Sequence, residues 1–388
     1  MESVAHAAVA RPRVESSTAL PWYLITMIFG STSILVGIMW DISWHISIGR
    51  DTFWSPPHAA VYLGGLLAGL SSGVLALKTT FAGSAEEQAL TVRLWGFRAP
   101  FGAWVAVWGC FAMLVSAPYD NWWHNAYGLD IGDMTPPHLL LISGIVFIQL
   151  GVMMIALSLQ NRATPGEMKK LGLAHLYAAG LVLAMLIPVH IIEPNRRHGG
   201  FFYQAFAAYL PFLVVSMARS SRMRWAATIL SAIYMLVIAI IALWVIPLFP
   251  AHPKLGPVNM AITHMAASPF PLLVVFPALA VDFFLQRREG KRAGWLDAAM
   301  IGVAFFVIFF IVHWYFAIFQ LSPAARNWFF AGDRFYSYAH RPGPHHYQFW
   351  WPKEDPMTLQ IFGLSVLWSI LSTRVGLWWG QWMSKVQR

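Results

Sequence analysis

Ten stretches of the chain, at roughly 22–42, 57–77, 99–118, 137–158, 171–191, 203–218, 225–248, 268–285, 297–319 and 358–378, stay apolar over close to a membrane-spanning length. About 17 to 25 residues of helix are needed to cross about 30 Å of hydrocarbon. A chain built this way has few options, because lipid offers no partner to a backbone amide or carbonyl. Only helices and closed barrels satisfy all of those groups internally. The runs are continuously apolar rather than alternating, which selects helices over barrel strands. The expected fold class is therefore all-α, a polytopic helical membrane protein of about ten transmembrane helices. Composition agrees: 58% of residues are hydrophobic, only 11% are charged, and the mean hydropathy is +0.56. Those values exclude an ordinary soluble globule and a disordered chain.

Charge then sets the topology. The net charge of +9 comes from short basic clusters between apolar runs and not from one basic domain, so nucleic acid is not an expected partner. Residues 1–20 are mixed and polar, and no small-residue cleavage site follows the first apolar run, so this segment reads as a cytoplasmic tail and not a removable signal. Eighteen of the 26 Lys and Arg fall on the side shared by both termini. The positive-inside rule therefore places both termini in the cytoplasm of a multi-pass protein of the inner (plasma) membrane. The same assignment puts 12 of the 14 histidines at or beyond the outer helix ends, leaving His6 and His175 inside.

Two of these outer regions are copies of one another. The stretch WDISWHISIGRDTFWSPPHAAVYLGG at 40–65 aligns with YDNWWHNAYGLDIGDMTPPHLLLISG at 119–144. Asp41 matches Asp120, His45 matches His124, Gly49 matches Gly128 and Asp51 matches Asp130. After one inserted residue, Ser55 matches Thr135, the paired prolines match, His58 matches His138 and Gly64 matches Gly144. Each copy contains two helices, so the units at 21–80 and 98–160 have the same orientation, a parallel repeat of a kind known in transporters. The region 161–388 is expected to hold six further helices and a long outer loop at about 320–357.

The repeated residues have coordination chemistry. Asp41 and His45 are four apart and share one helical face. Ser55-Pro56-Pro57 reads as a helix start, with serine as N-cap and proline where no amide donor is lost. His58 then lies in the first turn of the antiparallel neighbour, at the depth of Asp41 and His45. Two imidazoles and a carboxylate converging at the membrane edge suit zinc, copper or non-haem iron alike. Taken singly, each residue also reads as an interfacial polar group. Ionisable side chains near the apolar core are costly, however, and here the same Asp, His, His set occurs twice. The expected metal ligands are Asp41, His45, His58, Asp120, His124 and His138, with a structural polar network or a proton relay as the competing readings. Spacing leaves open whether the two sets form two sites or one dinuclear centre.

At these residues the sequence resembles a copper-binding membrane component of the copper membrane monooxygenases, the family of particulate methane monooxygenase and ammonia monooxygenase. That component has an Asp-x3-His-x12-His set in its membrane helices, the spacing of Asp41, His45 and His58; the second copy has thirteen residues between its histidines. The resemblance implies a copper site at the first three residues and, through it, an oxygen-dependent monooxygenase or oxidase acting on small apolar substrates. The alternatives are a metal-ion or proton-coupled transporter and a non-catalytic membrane scaffold. Expected partners are the lipid bilayer and other membrane proteins of such an assembly or further copies of the chain.

Other polar positions stand out less. His190 and Glu193 are three apart before Arg196, Arg197 and His198; His252 and His264 flank a proline-rich connection; His313 sits among aromatics. The long loop holds His340, His345 and His346 among tyrosines and tryptophans, read equally as a lid or as an aromatic belt. The single cysteine, Cys110, excludes a disulfide framework or thiolate cluster within one chain. No phosphate-binding glycine loop, serine nucleophile elbow or HExxH motif is present.

Overall fold

The computed structural model describes residues 19–49, 54–128, 135–190, 199–254, 263–268, 270–287, 293–325, 327–330 and 356–388. The described chain is helical almost throughout. In order it forms α1 (Trp22–Ser47), α2 (Pro56–Ala82), the short α3 (Ala85–Ala89), a hairpin of β1 (Val92–Leu94) and β2 (Phe97–Ala99), α4 (Phe101–Tyr127) and α5 (Pro136–Arg162). The second half forms α6 (Met168–His190), α7 (Gly200–Ser220), α8 (Ala226–Ile238), α9 (Val275–Arg287), α10 (Trp295–Leu321) and α11 (Leu359–Met383). Among the described residues nine helices are long and apolar enough to cross a membrane, α8 counted with its continuation to Leu248. The all-α polytopic architecture is thus the one expected.

The repeat is visible in the packing. α1 lies along α2, and α4 along α5. The two hairpins cross at equivalent glycines: a Cβ on Gly30 would stand 2.5 Å from the Gly64 carbonyl oxygen, and one on Gly109 would stand 2.6 Å from that of Gly144. No side chain fits there, so the backbones meet directly, as small residues allow in membrane helix pairs. The ends match as well. α1 and α4 are followed by Gly49 and Gly128 at φ 88° and 87°, a left-handed conformation that glycine adopts without strain. α2 and α5 each open with paired prolines, which lose no helical hydrogen bond in the first turn.

One local detail differs from the expectation. Ser55 and Thr135 occupy the N-cap positions, yet neither side chain caps its helix. The second helical residue is proline in both copies, so one of the two amides that an N-cap side chain ordinarily meets is missing.

Buried polar pairs tie the hairpins to the rest. The Ser31 hydroxyl donates to Gln149 Oε1, and Gln149 Nε2 donates to the Ser31 carbonyl at 3.0 Å, clamping α1 to α5. Thr32 and Tyr177 hydroxyls meet at 3.1 Å between α1 and α6. At the end of the bundle away from Asp41, Asn161 donates to the carbonyls of Met383 and Val386 at 3.0 and 2.7 Å. Arg162 there lies in electrostatic reach of Tyr23. The start of α1 and the end of α11 therefore share one end of the bundle.

The eighth apolar run, 268–285, behaves differently from the other nine. Its helix covers only the 13 residues of α9, about 20 Å at 1.5 Å per residue. The described residues from Met265 to Leu273 are not helical, and Pro271 among them has no N–H to give a helix. The segment nonetheless follows α8 down its length. Ser268 N–H donates to the Ala242 carbonyl at 2.9 Å, and Leu272 N–H to the Tyr234 hydroxyl at 3.0 Å. Farther on, the Asp282 carboxylate accepts the N–H groups of Ala227 and Thr228 at 3.0 and 2.8 Å. α8 itself relaxes into a π-helix over Ala239–Val245, beside the non-helical stretch. This is a tenth crossing, half of it without helix, tolerated because protein partners take its backbone groups.

Candidate metal centre

The end of α1 and the start of α2 bring the first motif together. Asp41 and His45 lie one turn apart near the end of α1, and His58 is the third residue of α2. His45 Nε2 is 3.6 Å from Asp41 Oδ2, and His58 Nε2 is 3.3 Å from Asp41 Oδ1. One ligand atom from each residue lies within 4.8 Å of the others. Two donors held at 2.0–2.1 Å from one tetrahedral ion are separated by about 3.4 Å, so these spacings suit a common ion. Asp41 Oδ1 is buried and accepts no hydrogen bond from any described residue, although an imidazole nitrogen faces it. The His45 side chain is 47% exposed, which leaves one side of the triad open.

The second motif repeats the pairing. His124 Nε2 is 3.4 Å from Asp120 Oδ2, and His138 Nε2 is 3.7 Å from Asp120 Oδ1. Asp120 Oδ1 is again buried without a hydrogen bond from described residues. The rings are held from behind: His124 Nδ1 lies 3.0 Å from the Gly128 carbonyl oxygen, and His138 Nδ1 lies 3.1 Å from the Thr135 hydroxyl. A carbonyl only accepts, so Nδ1 of His124 carries the proton there, and in the neutral ring the Nε2 lone pair faces the Asp120 carboxylate. An imidazole lone pair and a carboxylate oxygen turned toward one another are the donor types a metal ion takes. Anchoring of the far ring nitrogen by a carbonyl or hydroxyl is the usual outer support of a metal-bound histidine. Among the described residues, only the first motif closes to within 4.8 Å for all three ligand atoms.

Aromatic walls accompany both motifs. Trp40 and Trp44 meet edge to face at 6.2 Å, and their counterparts Tyr119 and Trp123 do so at 6.3 Å. Two residues that the sequence pattern did not mark lie between the motifs. Tyr62, one turn along α2 from His58, pairs with the Ser116 side chain on α4 and lies in electrostatic reach of both Asp41 and Asp120. Its position in the second copy is Ile142, so the repeat carries no signal for it; only its place on the His58 face of α2 marks it.

The remaining histidines are held elsewhere. His313 is buried between Phe202 and Phe309, stacked on each, and His175 is buried against Ser220 at 3.2 Å. His264 bridges Pro250 and meets the Thr263 hydroxyl at 3.0 Å. The side chain of His190, together with Asp51, Asp130, Glu193, Arg196, Arg197, His198, His340, His345 and His346, lies outside the described residues.

Nine apolar helices and an Asp, His, His triad at one end of them fit the class of integral membrane metalloproteins. Compared with known protein families, with curated proteins and with solved structures, the chain matches none.

Proposed function

We propose that this protein is the copper-binding part of a membrane monooxygenase or oxidase, with copper held by Asp41, His45 and His58 and with small apolar molecules as substrates. The observation that carries the metal is the closure of these three ligand atoms to within 4.8 Å around a carboxylate oxygen that makes no other bond among described residues. The choice of copper over iron or zinc follows the order of affinities of nitrogen and oxygen sites for divalent ions, which peaks at Cu²⁺. The resemblance of the Asp-x3-His-x12-His spacing to that of the copper membrane monooxygenases supports the oxidative reading. Bound copper would supply the redox chemistry with oxygen. The chain itself supplies an anionic carboxylate that offsets the metal charge, two neutral imidazoles, and a wall formed by Trp40 and Trp44. The sparse lysine and arginine on the site's side support a plasma-membrane protein with both termini in the cytoplasm and the site facing outward.

Elemental analysis of the full chain purified in mild detergent tests this. About one or more equivalents of copper are expected after reconstitution with copper, iron and zinc together. Loss of at least one equivalent is expected in both His45→Ala and Asp41→Asn variants that elute as the wild type does on size exclusion. Tight iron or zinc in place of copper would overturn the copper assignment, and a protein holding no metal would overturn the whole reading.

A further inference from the structure

We infer that the hairpin of β1 and β2 binds an anionic phospholipid of the leaflet away from Asp41, with Arg93 and Arg98 taking the phosphate and the aromatic tip lying against the acyl chains. It does not depend on the Asp41 site.

Connection alone does not call for this hairpin. The second copy passes from α5 to α6 in the five residues 163–167, whereas the first uses the eighteen residues 83–100 between α2 and α4. The added chain is built onto the helices. The Arg98 N–H donates to the Thr80 hydroxyl at 2.7 Å, and Trp104 Nε1 donates to the Val92 carbonyl at 3.0 Å. Gln88 Nε2 closes α3 back onto the Thr79 and Gly83 carbonyls, both at 3.3 Å.

The two faces of the hairpin differ in chemistry. In its register Val92 opposes Ala99 and Leu94 opposes Phe97 on one face, and Arg93 opposes Arg98 on the other. Residues directly opposite in an antiparallel pair hold their Cβ atoms about 4.5–5.5 Å apart, and like charges so placed are destabilising. Neither arginine pairs with a described carboxylate. Glu87 is committed to the Ser84 cap at 2.8 and 3.2 Å, and Arg98 Nη1 meets the Gln88 carbonyl at 3.4 Å. Two opposed guanidiniums with no carboxylate between them suit a phosphate, which takes planar forked donors well.

The tip makes that phosphate a lipid's. Trp95 and Gly96 turn the chain at φ 49° and 88°, both left-handed. A two-residue turn of this kind ordinarily takes Asn-Gly, and a bulky side chain at its first position is strained. Trp95, 72% exposed, thereby sets its ring edge to face on Trp108 at 5.2 Å, and Trp108 meets Phe111 at 5.9 Å. Trp108 stands seven residues after Phe101, the first of α4, about 10 Å along the helix, so the tip reaches back toward the hydrocarbon. On the other strand Phe97 meets Phe81 of α2 at 6.1 Å, and both are exposed. Exposed aromatic rings beside arginines at the end of a membrane helix belong at the headgroup level, where basic sites recognise anionic lipids.

Native mass spectrometry of the delipidated full chain in mild detergent, offered equal amounts of phosphatidylglycerol and phosphatidylcholine, tests this. One phosphatidylglycerol is expected to be retained in preference to phosphatidylcholine. Combining Arg93→Gln with Arg98→Gln should lower that preference by about fivefold for each arginine removed. Combining Arg93→Lys with Arg98→Lys keeps the charge without the fork; it should lower the preference less, and it stands in if the glutamine variant does not elute as folded. Arg224→Gln, at the same end of the bundle but bonded to Gln286 at 3.2 Å, is the control and should keep the preference. Trp95→Asn, which suits the turn, should weaken retention while holding or raising the melting temperature; a tip with a structural role alone would lose melting temperature and keep the lipid. Equal retention of the two lipids, or an unchanged preference in the double variants, would overturn the inference. So would an equal loss in Arg224→Gln, the mark of diffuse attraction, or displacement of the lipid by inorganic phosphate, the mark of a free-anion site. None of these outcomes bears on the metal reading.

Discussion

The hydroxyl of Thr135 sits where a helix cap belongs and is given to His138 instead, at 3.1 Å from Nδ1. On the metal reading of the second motif, removing that support while keeping the side-chain shape, in Thr135→Val, should weaken copper binding there by about 10- to 100-fold and leave the first motif unchanged, as measured by equilibrium dialysis against the wild type. The first triad was legible in the sequence, because a four-residue spacing shares a helix face and paired prolines fix where the next helix starts. What the spacing left undecided was closure: identical residue types in both copies yield one compact set and one looser set. Tyr62 had only its place on the His58 face of α2 to mark it, since a residue that lies across two copies has no reason to be repeated in each, and here Ile142 stands in its place.

At the scale of helices, the glycine crossings hold the two copies to one shape. Gly109→Leu must push α4 away from α5, because the side chain would meet the Gly144 carbonyl, and it should destabilise the protein by about 1–3 kcal/mol, read as a lower melting temperature in detergent. Gly166→Leu, in a loop with open space around it, is the matched control and should leave the melting temperature unchanged. Nine of the ten apolar runs became long helices, and the exception has a physical cause. Apolarity reports burial, and burial does not distinguish a helix from non-helical chain whose backbone is bonded to a neighbour. The Asp282 carboxylate belongs to this exception: it reaches from α9 to the free amides that open α8. Asp282→Ala leaves those two amides without their acceptor, at a cost of about 1–3 kcal/mol for each, and thermal unfolding should show a larger loss than for Asp282→Asn, which keeps one acceptor.

For the whole molecule, the count of crossings and the shared position of the start of α1 and the end of α11 make one statement about sidedness. The wild-type chain has a single thiol, Cys110, buried against Gly69, and a membrane-impermeant maleimide should not reach it. In that background Gly166→Cys should be labelled only when the cytoplasmic face is accessible, and Asn125→Cys from outside intact cells. Labelling of both from one side would refute the fold's sidedness, and reversal would place the Asp41 and Asp120 motifs at the cytoplasmic face.

The half-helical tenth crossing also bears on how the protein is made. Alone in lipid, the described residues of this stretch would expose amides and carbonyls that find their partners on other helices, among them the Ala242 carbonyl and Tyr234 hydroxyl along α8 and its continuation, and the Ser43 and Ser47 hydroxyls of α1. This stretch has no stable transmembrane form of its own, so its insertion must wait for α8 and proceed against it. The unit of biogenesis in this region is the stretch together with the helices that hold it. A ribosome-bound chain ending just after α9 should therefore integrate that segment only when α8 precedes it.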